Sequence, residues 1–348
     1  MGKIRVLVAD DSALMRKQIK DMLESDPQIE VIGTARDGED TIEKARKLEP
    51  DVITLDINMP KMDGLTALQI LVEEEIAPVI MLSSLTQEGS LITFEALELG
   101  AFDYVAKPGG TISLNIKQVK DELIAKVKAA AKKGVLGKLK RKKKVTVKRI
   151  AGRVKDKKAV AIGISTGGPK TLMDVIPYLP EDLPAAIFIV QHMPPAFTNS
   201  FAERLDKNSK IRVVEAEAGL EAENGLGILG KGGYHLTVFK KLSGSIIVRT
   251  PNKPEHLFMP SADIMMESVL SVYGENTIGV LMTGMGDDGA NAMVKIKEAG
   301  GITIAESEET AIVFGMPKAA IERGGAKYVA PSYEIADLIV KAVYGELK

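Results

Sequence analysis

Apolar residues fall along this chain in two rhythms. Short runs at 4–9, 31–34, 52–55, 79–82 and 104–106 are dominated by Val, Ile, Leu and Ala, as expected of strands buried on both faces. Between them apolar positions recur at helical spacing. Within 64–74, for example, Leu65, Leu68 and Leu71 line one face that Ile70 and Val72 widen. Strands alternating with helices over short connections predict a parallel sheet covered on both sides. The same alternation resumes with runs at 159–164, 186–190, 211–214, 277–282 and 302–305, and 230–248 reads as a hairpin. No repeat of solenoid period is present.

The stretch between the two alternations has another character. Residues 132–158 hold the basic run Lys138-Leu139-Lys140-Arg141-Lys142-Lys143-Lys144 together with Gly134, Gly137 and Gly152, the composition of a solvated linker. The expected organisation is a first domain over 1–125, a basic linker over 126–157 and a second domain over 158–348. A chain of 348 residues is also long enough for two domains. Its formal net charge of −1 makes no case for nucleic acid, and no DNA-binding motif accompanies the basic run. No apolar run approaches a membrane span, and the first residues lack the apolar core of a signal peptide. Direct membrane insertion is therefore not expected. Without cysteine the chain has no disulfide or thiol chemistry, and a cytoplasmic location is permitted.

Candidate chemistry stands where the apolar runs stop. The segment Ala161-Ile162-Gly163-Ile164-Ser165-Thr166-Gly167-Gly168-Pro169 carries a strand into a serine, two glycines and a proline suited to the first turn of a helix. A hydroxyl at that sheet edge, beside the free N–H groups of a helix start, is a nucleophile next to an oxyanion site. A phosphate-binding loop competes with this reading. However, Pro169 and Lys170 put the segment one residue out of register with Gly-x-x-x-x-Gly-Lys-Ser/Thr. Of three histidines, His192 alone directly follows a strand-like run, in Gln191-His192-Met193-Pro194, and is the candidate base. His235 and His256 read as surface or substrate-lining residues. The carboxylate that fixes the base comes from Thr283-Gly284-Met285-Gly286-Asp287-Asp288-Gly289, and spacing does not choose between Asp287 and Asp288.

The first half gathers a different set. Asp10 and Asp11 end the first run and Asp56 the third, while Ser83 ends the fourth and Lys107 the fifth, ahead of Pro108. In an open parallel sheet these ends lie side by side. Three converging carboxylates repel one another unless a hard cation neutralises them, and oxygen-only ligation suits Mg²⁺.

The pattern Asp10-Asp11, Asp56-Ile57-Asn58-Met59-Pro60-Lys61-Met62-Asp63-Gly64, Ser83 and Lys107-Pro108 resembles a bacterial response-regulator receiver domain over roughly 3–125. The resemblance implies that Asp56 accepts a phosphoryl group from a histidine kinase. It also implies that Mg²⁺ is held by Asp11, Asp56 and the carbonyl of Asn58, with Asp10 assisting through water. Ser83 and Lys107 would contact the phosphoryl oxygens, Tyr104 would occupy the place of an aromatic reporter, and the Lys107–Pro108 bond would be cis. The segments around Ser165 and His192, the loop 283–289 and Val313-Phe314-Gly315-Met316-Pro317 resemble the catalytic domain of the chemotaxis protein-glutamate methylesterases. That resemblance implies a triad of Ser165, His192 and Asp288, with the backbone N–H groups of Thr166 and Met285 as oxyanion donors and no metal or other cofactor at this site. The implied substrates are methylated chemoreceptors, demethylated and also deamidated by a cytoplasmic monomer. The expected fold is α/β in two domains. One is a flavodoxin-like receiver with parallel order 2-1-3-4-5, the other a larger doubly wound, mostly parallel sheet with an antiparallel hairpin.

Overall fold

A computed structural model of the chain describes residues 2–84, 86–107, 116–133, 147 and 157–347. Two compact units divide it, Met1–Arg141 and Lys142–Lys348. The expected cis bond at Pro108 and nearly all of the basic stretch 134–156 lie outside the described residues.

The first unit alternates β1 (Ile4–Ala9), α1 (Ala13–Glu24), β2 (Ile29–Ala35), α2 (Gly38–Leu48), β3 (Val52–Asp56), α3 (Gly64–Glu73), β4 (Val79–Ser83), α4 (Gln87–Leu99), β5 (Asp103–Ala106) and α5 (Ile116–Lys133). Its sheet runs β2-β1-β3-β4-β5, parallel throughout, as expected. Val6, Val8, Val52, Ile80 and Leu82 from the strands pack with Ile19 and Leu23 of α1 and Val119, Leu123 and Val127 of α5. Helix starts are written into the sequence. Ser12, Asp37, Asp63 and Thr86 each accept the N–H three residues on, those of Met15, Asp40, Thr66 and Gly89. Such side-chain caps are worth about 1 kcal/mol apiece.

The second unit comprises β6 (Lys158–Ile164), α6 (Gly168–Leu172), β7 (Ala185–Gln191), α7 (Pro195–Asn208), β8 (Arg212–Glu215), β9 (Leu226–Leu229), β10 (Thr237–Lys240), β11 (Ile246–Arg249), α8 (Ala262–Tyr273), β12 (Thr277–Leu281), α9 (Ala290–Glu298), β13 (Ile302–Glu306), α10 (Met316–Glu322), β14 (Tyr328–Ala330) and α11 (Ser332–Val343). Its main sheet runs β14-β13-β12-β6-β7-β9-β8, with every pairing parallel. The antiparallel pair β10–β11 lies between parallel strands in chain order but forms a separate two-stranded ladder. Two strands had no sequence signal strong enough to predict them. β9 has four residues beside the hairpin, and β14 has three residues at the sheet edge. Met265, Met266 and Val269 of α8 seal one face against Ala159, Ala161, Phe188 and Val190.

Both sheets reverse their direction of strand addition, and ligands bind at such switch points, outside the carboxyl ends of the strands. In the first unit the reversal falls between β1 and β3. In the second it falls between β6 and β12, with β7 on the other side of β6.

Candidate active sites

Ser165 leaves β6 half-buried. Its N–H donates to the Thr283 carbonyl at 2.9 Å, which ties the loops after β6 and β12 together. A Cβ on Gly284 would lie 2.8 Å from Ser165 Cβ, so only glycine lets the two loops approach this closely. The Ser165 carbonyl accepts from Gly168 N–H at 2.8 Å and from the Gln191 side-chain amide at 3.0 Å. Gly168 N–H is thereby occupied, and Pro169 has none, which argues against the phosphate-loop reading of this turn. The N–H groups of Thr166 and Met285 donate to no acceptor among the described residues. The carbonyls of their own peptide units are held from behind, that of Gly284 by Gly315 and Met316 N–H at 3.1 and 2.9 Å.

His192 follows β7 and stands level with the end of β6, its N–H donating to the Ile164 carbonyl at 3.1 Å. Its Nε2 lies 2.7 Å from Asp288 Oδ2. Asp288 comes from the loop after β12 and meets the start of α8, where it accepts from Ala262 N–H at 2.6 Å, Asp263 N–H at 3.0 Å and Ser261 Oγ at 2.8 Å. Burial pushes the Asp288 carboxyl up. The hydrogen bond and charge of His192, with the Asp263 and Ala262 amides, outweigh it and hold the carboxyl down at about 2. An ionised carboxylate only accepts, so Nε2 carries the imidazole proton and the lone pair of the neutral ring sits on Nδ1. Nδ1 is buried and has no hydrogen-bond partner among the described residues. The ring is thus used in the opposite sense to the common arrangement, in which Nδ1 faces the acid. Phe258 stacks on its face, centroids 4.1 Å apart and planes within 2°.

The neighbouring acid is placed elsewhere. Asp287 is exposed and pairs with Arg323, which also binds Asn291. The structure corrects the reading of His235 as a surface or substrate-lining residue. His235 is fully buried, accepts from Ser261 N–H at 3.3 Å and lies with Nε2 2.8 Å from the Pro254 carbonyl. It therefore braces the cap of α8 on which Asp288 rests. His256 is exposed. Gln191, Ser261 and Phe258 were not singled out from sequence. Only Ser261 carried a usable signal, as the serine of Pro260-Ser261-Ala262-Asp263 ahead of a helical apolar pattern.

In the first unit Asp10, Asp11 and Asp56 bring carboxylate oxygens within 4.8 Å of one another. Asp10 and Asp56 are buried and Asp11 is exposed. Lys107 Nζ bridges the buried pair, 2.8 Å from Asp10 Oδ2 and 2.7 Å from Asp56 Oδ2. Burial raises the Asp56 carboxyl above its ordinary range and Asp10 adds to this, while Lys107 opposes it. Burial would lower Lys107, but the two carboxylates raise it further. Asn58 is exposed beside them. Ser83 is fully buried, and its hydroxyl is turned onto α4. It accepts from Thr93 Oγ1 at 2.7 Å and faces the Gly89 carbonyl at 3.2 Å. Tyr104 is buried.

An acid pocket at one switch point and a buried histidine–carboxylate pair at another define a response-regulator receiver joined to an enzymatic output unit. Residues 6–117 match the response regulator receiver domain, and residues 160–339 match the CheB methylesterase family. The chain belongs to the CheB methylesterase family. It is 57% identical to protein-glutamate methylesterase/protein-glutamine glutaminase 3 of Syntrophomonas wolfei, over 98% of this chain and 99% of that protein. Its identity to the protein-glutamate methylesterase/protein-glutamine glutaminase of Caldanaerobacter subterraneus is 55%, over 98% of this chain and 97% of that one. Among solved structures, the CheB methylesterase catalytic domain of Thermotoga maritima is 42% identical. It covers 53% of this chain and 98% of its own, with a TM-score of 0.52.

Proposed function

We propose that Ser165, His192 and Asp288 perform acyl transfer on methylated glutamate side chains of chemoreceptors. His192 Nδ1 takes the Ser165 proton as Oγ attacks the γ-carbonyl of the ester. The N–H groups of Thr166 and Met285 stabilise the oxyanion, and ionised Asp288 stabilises the imidazolium. His192 then gives its proton to departing methanol, and water, activated by the same nitrogen, frees the carboxylate. With a receptor glutamine the leaving group is ammonia and the acyl-enzyme is the same, so demethylation and deamidation share one site.

The receiver places this activity under phosphorylation control in chemotaxis. Asp56 is the acceptor, a histidine kinase the donor, and Ser83 and Lys107 contact the phosphoryl oxygens. The acid pocket is a Mg²⁺ site of the receiver type, and its close-set carboxylates fit a hard cation. Asp11, Asp56 and the Asn58 carbonyl would hold the ion, with Asp10 behind them, and the ion would offset the charge of phosphoryl transfer. Among the described residues no helix is long and apolar enough to cross a membrane; the chain is proposed to act as a cytoplasmic monomer.

The observation that carries the reading is the 2.7 Å contact of His192 Nε2 with a carboxylate kept ionised, which leaves Nδ1 as the basic atom. The test is methanol release from methylated receptor by the Ser165→Ala chain. Loss of hydrolysis with an unchanged melting profile is expected. Retained hydrolysis removes Ser165 as nucleophile.

A further inference from the structure

We infer that Gln191 is a positioning residue for the oxyanion donor at Thr166; this rests on the acyl-transfer reading above. Gln191 closes β7 and is almost fully buried. Its Nε2 spends both protons on backbone carbonyls, those of Ser165 and His192, each at 3.0 Å. One side chain thus joins the residue that attacks to the residue that takes its proton.

The Ser165 carbonyl shares its planar peptide unit with the Thr166 N–H. In a trans peptide the two groups point opposite ways, so fixing the oxygen aims the hydrogen. Gly168 N–H and Gln191 Nε2 hold the oxygen on the protein side, which turns the Thr166 N–H away from both. The second donor is built alike. The Gly284 carbonyl is held by Gly315 and Met316 N–H, which aims Met285. There the anchor is the start of α10, whereas at Thr166 part of it is a replaceable side chain.

Stability alone does not account for Gln191. Its Oε1 is buried without a hydrogen-bond partner among the described residues, a configuration that costs stability. It is also crowded, since a Cβ on Gly168 would lie 1.9 Å from it. An apolar side chain of this length would remove the orphaned acceptor but also the amide's hold on both carbonyls, leaving that of Ser165 to Gly168 N–H alone.

The test is Gln191→Met in the full chain, with kcat and KM measured on methylated receptor. A donor acting on the transition state should lower kcat about 10- to 100-fold when misaimed and leave KM within about twofold. Gly168→Ala approaches the same contact from the other side and keeps the question answerable if the Gln191 variant does not fold. Its Cβ must displace the amide, so the same kcat-selective loss is expected. An unchanged kcat in the folded variant, or a loss confined to KM, overturns the inference. Ser165→Ala separates the two readings. An active Ser165→Ala chain removes the acyl-transfer reading itself, whereas an inactive one beside a fully active Gln191→Met chain removes only the role of Gln191.

Discussion

Replacing Asp288 by Asn changes one atom and should disable the enzyme. The carboxylate receives four donors: His192 Nε2–H, Ala262 N–H, Asp263 N–H and Ser261 Oγ–H. An amide has one oxygen, so its NH₂ group must face at least two of those donors. If NH₂ points at His192, it forces the imidazole proton onto Nδ1 and withdraws the lone pair proposed to take the Ser165 proton. A tautomer reversal of this kind is worth about 10⁴-fold in kcat. Stability falls as well. Holding the Asp288 carboxyl at about 2 rather than 3.8 corresponds to about 2 kcal/mol at neutral pH. Because the folded value is the lower one, that contribution is complete above the unfolded value of about 4 and is lost as pH falls through about 2. The melting difference between parent and Asp288→Asn should therefore shrink between pH 5 and pH 2, roughly the window over which such a group titrates. Asp287→Asn is the control. Its exposed pair with Arg323 should contribute under about 1 kcal/mol, and activity should stay near that of the parent. Methanol release and calorimetry on the two chains decide the matter. A crippled Asp287→Asn beside an active Asp288→Asn would refute the assignment.

Three further outcomes follow from the same geometry. Asp56→Asn should keep basal hydrolysis but abolish its stimulation by a small acyl phosphate with Mg²⁺, read as methanol release with and without the donor. Chelation with EDTA should remove the stimulated fraction of the parent in the same assay. Thr93→Val withdraws one of the two hydrogen bonds that hold the Ser83 hydroxyl on α4 and should accelerate phosphorylation of Asp56, followed by intact-mass spectrometry; an unchanged time course would refute a restraining role for that contact.

The strand ends were readable because a strand buried on both faces must be apolar until it leaves the sheet. The first polar residue after it therefore marks the ligand edge. That logic located Asp10, Asp56, Ser83 and Lys107 in one unit, and Ser165 and His192 in the other, without any coordinates. It could not rank Asp287 against Asp288. Both lie in one loop, and their different surroundings, Arg323 for one and the start of α8 for the other, come from residues distant in sequence. The same limit hid Phe258, whose partner is 66 positions away in the chain. It misjudged His235 too, since a histidine beside a hairpin looks exposed until the loop ending at Pro260 folds over it. The strands β9 and β14 were too short to outweigh the turns around them.

The glycines of the second site carry an argument that composition does not. At Gly168, Gly284 and Gly315 the backbone is not left-handed, so the demand is for space. A Cβ at Gly284 would sit 2.2 Å from Met316 Sδ, and one at Gly315 would sit 2.6 Å from the Gly284 carbonyl oxygen. Both contacts lie at the Gly284–Met285 peptide, one of the two proposed to hold the oxyanion. A site that stabilises charge with backbone N–H groups cannot adjust them by swapping side chains. It can only fix the peptide planes through their carbonyls, and the anchoring groups must come close enough to bond. The segment Val313-Phe314-Gly315-Met316-Pro317, which carries no side-chain chemistry of its own, belongs to the site for this reason. Its Gly315 and Met316 N–H groups hold the Gly284 carbonyl, and Pro317 enters the first turn of α10 where its missing N–H costs nothing.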